Sequence, residues 1–228
     1  MAGLLLWGSV VSAQAQGPVV VELFTSQGCA NCPPADALLG ELAGHEDVIA
    51  LGLHVDYWDY IGWADTFADA AHTARQYGYA RAAGSTVVYT PQMVIGGMGH
   101  VAGHRPMAVL EEIMAHVAAP DPVALDISAE GEGAYLVRAD VTDGDAPEAG
   151  MVVHLVSYLP HEEVDIRRGI NADQTIDYHN IVRSWQVVAE WNGAGPHSVQ
   201  INLEGALPFV LIVQQAGFGP IMAAARLD

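Results

Sequence analysis

The chain holds two cysteines, Cys29 and Cys32. They stand where an apolar run, Val19-Val20-Val21-Glu22-Leu23-Phe24, gives way to a helical pattern. Two thiols at that spacing can close a small disulfide ring, and such pairing lowers the pKa of one thiol toward a reactive thiolate. A purely structural bridge is the alternative reading, but a ring this short removes little chain entropy, so its stabilising effect is small. A zinc site would need four ligands, and there is no second cysteine pair. A thiol at a helix start also feels the positive end of the helix dipole and unpaired backbone N–H groups, both of which favour thiolate. The spacing and the position together point to a redox-active dithiol.

Charge narrows the partners. Across 228 residues, 27 acidic side chains face eight arginines and no lysine, a formal net charge of -19. Nucleic-acid and anionic-membrane binding both need a basic surface, and a P-loop needs its lysine, so these classes are excluded. Residues 4–11 form a short apolar stretch followed by Ser12-Ala13-Gln14-Ala15, an A-x-A-like cleavage pattern. The expectation is a signal peptide over 1–15 and a periplasmic or secreted mature protein. No later segment has the length of a membrane span, so no membrane insertion is expected after signal removal. A disulfide persists in such a compartment.

Residues 18–118 alternate strand and helix. After the first strand, Ala35, Leu38, Leu39 and Leu42 take a helical spacing, and Val48 to Val55 reads as a buried strand. Ala64 to Ala83 is predicted as a crossover helix. Met93 to Ile95 and His100-Val101 flank Gly96-Gly97 as a hairpin, and Pro106 opens a helix to Val117. Ala119-Pro120-Asp121-Pro122 is the expected linker. Beyond it, over 123–228, short Val/Ile/Leu/Tyr runs recur near 123–128, 134–141, 151–158, 163–167, 181–190, 198–203, 208–214 and 220–226. That pattern predicts an antiparallel sandwich.

Thr90-Pro91 precedes the strand that begins near Gln92. Strand, CxxC, helix, strand, helix, Thr-Pro, hairpin and helix in this order resemble the thioredoxin superfamily over about 100 residues. The resemblance implies that Pro91 is cis and packs over the disulfide, that the backbone at Thr90 pairs with substrate, and that Cys29 is the nucleophile resolved by Cys32. It also implies that an acid beneath the disulfide relays protons to Cys32; Glu22, the one charge in the first strand, is the candidate, with a half-exposed strand residue as the alternative. The chain departs from that pattern in having Gly28 where a tryptophan is usual, and in Pro33-Pro34 directly after Cys32.

The segment His54 to Trp63 leaves the carboxyl end of the second strand, the edge where ligands of α/β sheets bind. Asp56, Tyr57, Trp58 and Asp59 are therefore expected to border the dithiol as a substrate wall, or else to serve local packing and helix capping. Glu22 to Cys29, the proline pair, the Asp56–Tyr60 segment, Val164 to Asn171 and Asn180 to Arg183 together resemble a family of secreted bacterial proteins of undetermined function with a thioredoxin-like N-terminal half. Arg167, Arg168 and Arg183 cluster within that stretch and are expected to pair with Asp165, Asp173 or Asp177, or to dock against the first half.

The expected protein is an α/β thioredoxin-like domain followed by an all-β, sandwich-like domain, acting as an exported thiol–disulfide oxidoreductase. It would need no organic cofactor, a protein thiol or disulfide as substrate, and a redox partner protein to reset it. Two alternatives stand. One is a copper-handling protein that uses Cys29 and Cys32 with Met98, His100 or His104. The other is a non-catalytic binding protein on the same scaffold.

Overall fold

Every residue of the strand Val19–Thr25 (β1) is buried. The reason is that both its edges are paired: one in parallel with Val48–His54 (β2), the other antiparallel with Gln92–Ile95 (β3). In this computed structural model, which describes residues 17–142 and 146–227, β3 turns back into Gly99–Ala102 (β4). The turn uses Gly96 and Gly97 at φ of 56° and 78°, a conformation that side chains resist. Between these strands lie helices Pro33–Ala43 (α1) and Ala70–Ala82 (α2), a 3-10 turn at Asp59–Ile61, and, after β4, helix Pro106–Val117 (α3). The expected signal peptide, 1–15, lies outside the described residues.

Strands Val123–Gly131 (β5) and Ala134–Val141 (β6) follow, then Met151–Ile166 (β7) and Gln174–Trp191 (β8). His197–Asn202 (β9), Phe209–Gln215 (β10) and Ile221–Leu227 (β11) complete the chain. They assemble into an eight-stranded mixed sheet, β11-β10-β7-β8-β2-β1-β3-β4, and a three-stranded sheet, β5-β6-β9.

This corrects the expected fold class. The chain is mostly β, 45% strand against 19% helix, and it is not an α/β thioredoxin-like domain followed by an all-β sandwich-like domain. The cause is the β7–β8 hairpin. The runs at 151–158 and 163–167 read as separate short strands because Pro160 and His161-Glu162-Glu163 interrupt them. In the structure they are one strand, bulged at Val153/His154 and Ser157/Tyr158. Midway along, β8 pairs in parallel with β2 at Gly52↔Ile181, and Asn180 donates its Nδ2–H to the Ala50 carbonyl at 2.9 Å. A strand from beyond the 119–122 linker thus closes the β2 edge, and both halves share one sheet.

The faces of that sheet set the site. Val21, Leu23, Ala50 and Met93 point to one face and meet Leu39 of α1 and Val109 of α3. Farther along, Leu211 and Val213 pack against Val137 and Ile201 of the small sheet. The opposite face carries Val20, Phe24, Leu51 and Val94 against Tyr79 of α2. The helix predicted from Ala64 begins at Ala70 instead, where Asp69 caps it by accepting from the Ala71 N–H at 2.8 Å.

Candidate functional site

β1 ends at Thr25, and Ser26-Gln27-Gly28 leads into Cys29. Cys32 occupies the N-cap position of α1, and its carbonyl accepts from the N–H groups of Ala35 and Asp36 at 2.8 and 3.0 Å. Pro33 and Pro34 fall at the first two helical positions, where no intrahelical N–H bond is lost. Cys29 and Cys32 are joined as a disulfide, with 3% and 0% of their surfaces exposed. Ala30 and Asn31 between them are exposed.

Three expected neighbours gather here. The Thr90–Pro91 peptide is cis. The Pro91 carbonyl accepts from Gly103 N–H at 3.0 Å, and a Cβ built on Gly103 would lie 3.0 Å from Ala35 Cβ and 3.2 Å from Pro91 Cβ. Pro91 is therefore packed beside the first turn of α1. Trp58 spans the gap: a Cβ on Gly28 would stand 3.2 Å from Trp58 Cβ, and the indole Nε1–H donates to Thr90 Oγ1 at 2.7 Å.

The other expected residues turn elsewhere. Glu22 lies on the α2 face of the sheet, opposite α1, so it does not sit beneath the disulfide. Arg75 Nε and Nη2 donate to its two carboxylate oxygens at 2.5 and 2.9 Å, and Tyr79 Oη donates at 2.5 Å. The Arg75 guanidinium stacks 3.7 Å over Trp185. Alternation along β1 explains the placement, since Glu22 has the parity of Val20 and Phe24. Asp56 Oδ1 accepts from Thr73 Oγ1 at 2.6 Å, and Asp59 Oδ1 from Asp65 N–H at 3.0 Å. Tyr57 Oη donates to Gln76 at 3.0 Å, and burial pushes its phenol up to about 12. Of the four residues from 56 to 59, Trp58 alone touches the dithiol loop through these contacts.

A buried acid on the dithiol's own side of the sheet is Asp36. Thr25 Oγ1 donates to its Oδ1 at 2.7 Å, and its Oδ2 is buried with no hydrogen-bond partner. Burial raises its pKa from 3.8 to about 7, against the opposing pull of His54 and the Thr25 hydrogen bond, with Asp65 adding a smaller upward push. Four residues past Cys32 on one helix, its Cβ stands about 5–6 Å from that of Cys32. Around it lie His54, whose Nδ1 is 2.7 Å from Asp65 Oδ2, and Tyr178, whose buried hydroxyl also lacks a partner. Burial, then the charges of Asp36 and Asp65, push the Tyr178 phenol up. An acid in a first helical turn ordinarily reads as a surface charge facing the dipole, so its burial left no trace in the sequence.

The second half of the chain also reaches the site. The β7–β8 tip, residues 167–173, brings in Asn171, which is 3% exposed; its Nδ2 donates to the carbonyls of Gln27 and Cys29, both at 2.9 Å. Gln27 is held in turn by Asp65, which accepts its N–H at 2.8 Å, and by Trp63, whose Nε1–H donates to its Oε1 at 2.7 Å. Among the described residues Arg167, Arg168 and Arg183 form no ion pair with Asp165, Asp173 or Asp177: Asp165 accepts from Thr175, and Asp177 meets His161. Of the alternative, docking against the first half, Arg183 lines a small pocket with Thr66, Asp69 and His72. Met98 and His104 are exposed, and His100 lies 3.3 Å from the Gln92 carboxamide. Among the described residues, no group of three or more His, Cys, Asp or Glu side chains is placed to hold a metal ion.

No curated protein matches the chain. A crystal structure of a protein from Agrobacterium tumefaciens, solved by a structural genomics consortium, is similar to it at a TM-score of 0.77 and 31% identity, covering 94% of this chain and 96% of that one. The family profile described as "Protein of unknown function (DUF1223)" matches residues 20–214, a span holding the disulfide, Asp36, the cis peptide and Asn171 alike, and the chain belongs to that family.

Proposed function

We propose that the protein is a thiol–disulfide oxidoreductase whose centre is Cys29–Cys32. One observation carries the reading: the chain's two cysteines close a disulfide at the start of α1, beside Pro91, with the Asp36 carboxyl, its Oδ2 without a hydrogen-bond partner, buried one turn below. In the reduced protein the Cys29 thiolate, from the less buried of the two residues, attacks a substrate disulfide. The substrate S–S bond breaks, one substrate sulfur leaves as thiolate, and a Cys29–substrate mixed disulfide forms. Cys32 then gives its proton to the Asp36 carboxylate and attacks Cys29 sulfur, which closes Cys29–Cys32 and releases the second substrate thiolate. Two electrons pass from protein to substrate, and the same steps in reverse oxidise a substrate dithiol. An acid titrating near neutrality can both take and return that proton at working pH.

A protein redox partner resets the dithiol after each turn. The setting is exported, supported by the apolar run at 4–11 and the cleavage pattern ending at Ala15. The experiment is a trap. Reduced Cys32→Ser protein mixed with a disulfide-bonded test protein such as insulin is expected to accumulate a covalent one-to-one adduct, and Cys29→Ser to accumulate none. A wild-type disulfide that neither opens in dithiothreitol nor exchanges with glutathione overturns the reading.

A further inference from the structure

The tip of the β7–β8 hairpin sits directly against the dithiol loop and leaves four successive residues, 167–170, exposed. Its attachment is firm on two sides. Asn171 holds the Cys29 and Gln27 carbonyls from within, and the backbone at Gly169, φ 80°, lies so close to Trp63 that a Cβ there would come within 3.2 Å of Trp63 Cβ. A Cβ on Gly62, just past the 3-10 turn, would in turn stand 3.7 Å from Gly169 Cα. Tip, turn and dithiol loop therefore form one continuous body.

This body shows both apolar and basic side chains to solvent. Ile170 is 61% exposed and Tyr60, in the 3-10 turn, 81% exposed. Arg167 and Arg168, in the same tip as Ile170, are exposed, and no carboxylate forms an ion pair with either among the described residues. Arg75 is spent on Glu22 in the interior and Arg226 on the carbonyls of His45, Glu46 and Val48, while Arg138 meets Asp126 at the surface at 3.8 Å. Arg81, Arg105 and Arg183 are exposed as well, and Arg167 and Arg168 differ from them in standing side by side. An aliphatic and two arginines in one tip, with an aromatic on the 3-10 turn that packs against it, match the composition of interaction hot spots. On a chain of net charge -19, two adjacent unpaired arginines are a local reversal of sign.

The geometry points to the β7–β8 tip, with Tyr60, as the surface on which the substrate polypeptide docks, and to a substrate that carries acidic and apolar residues next to its cysteines. This rests on the oxidoreductase reading, and it names the substrate class for that centre. The protein's overall charge and its tip predict opposite preferences. The global field favours a basic partner, whereas short-range pairing at Arg167 and Arg168 favours an acidic one.

Two synthetic peptides test it, each with the same small disulfide loop, one flanked by Asp-Leu-Asp and the other by Lys-Leu-Lys. The expected result is that the reduced wild-type protein reacts roughly tenfold faster with the acidic peptide, that 0.5 M salt shrinks the ratio, and that the Arg167→Glu/Arg168→Glu double variant inverts it. Equal rates, or a faster basic peptide, overturn the proposal. Fluorescent versions with both cysteines replaced by serine make the readout independent of thiol chemistry, with tighter binding of the acidic peptide expected and equal binding refuting the docking surface. A binding preference without any thiol exchange keeps the tip assignment and overturns the oxidoreductase reading instead.

Discussion

Replacing Asp36 with asparagine isolates the most unusual group in the site. Its carboxyl is fully buried and its pKa is raised from 3.8 to about 7, so the folded state favours the protonated form. The sign follows directly. Stability from the neutral acid is complete below the unfolded pKa and is lost as pH rises through the folded one. With 1.36 kcal/mol per pKa unit, wild type is destabilised by about 1.5 kcal/mol at pH 5 and about 4 kcal/mol at pH 8. Asparagine never ionises, and its Oδ1 still accepts from Thr25. Its N–H2 group inherits the unpartnered Oδ2 position, a pH-independent cost of about 1–3 kcal/mol.

The informative quantity is therefore the change between the two pH values. Asp36→Asn should gain about 2.5 kcal/mol on wild type between pH 5 and pH 8, equivalent to about 5–10 °C in Tm for a chain of this size. Urea unfolding of the oxidised proteins at both pH values reads it, and titrations elsewhere cancel because both proteins share them. A gap between variant and wild type that stays the same at pH 5 and pH 8 refutes the argument that Asp36 is a buried acid titrating near neutrality.

Three further outcomes are expected. Arg75→Met strands the buried Glu22 carboxylate and should cost about 3–5 kcal/mol in urea unfolding, with Glu22→Gln/Arg75→Met recovering part of it; a double variant as unstable as the sum of the singles contradicts the pairing. Trp58→Phe removes the indole donor to Thr90 and should cost about 1 kcal/mol, Thr90→Val should match it, and the double variant should be little worse than either single. Gly103→Ala drives a methyl between Ala35 and Pro91 and should cost about 1–3 kcal/mol, whereas Gly131→Ala, with open space around it, should stay within about 0.5 kcal/mol.

How much of this was legible before folding depends on range. β1, the Gly96-Gly97 hairpin and the helix from Pro106 to Val117 are written in local patterns, because their boundaries rest on prolines, glycines and period-two or helical alternation. The architecture is not local. Whether β2 ends a sheet or receives another strand depends on Ile181, more than a hundred residues downstream, and no periodicity encodes that meeting. Pro160 lies inside β7, where an interior proline is unusual, and the local pattern there gives two runs, 151–158 and 163–167, in place of one strand.

The site divides in the same way. Cys29, Cys32 and Pro91 were legible from their residue types. Glu22 was misplaced by one step of strand alternation, which carried it to the wrong face. Asp36 and Asn171 were hidden, the first because burial of a first-turn acid leaves no mark in sequence, the second because its partners, Gln27 and Cys29, lie on the far side of the chain.

The central claim is that Cys29–Cys32 cycles. Equilibrating the purified protein across a graded glutathione or dithiothreitol series and counting free thiols gives its reduction potential. A redox-active centre is expected between about -270 and -120 mV, the span of known dithiol proteins. A potential below about -300 mV, where structural disulfides lie, contradicts the account.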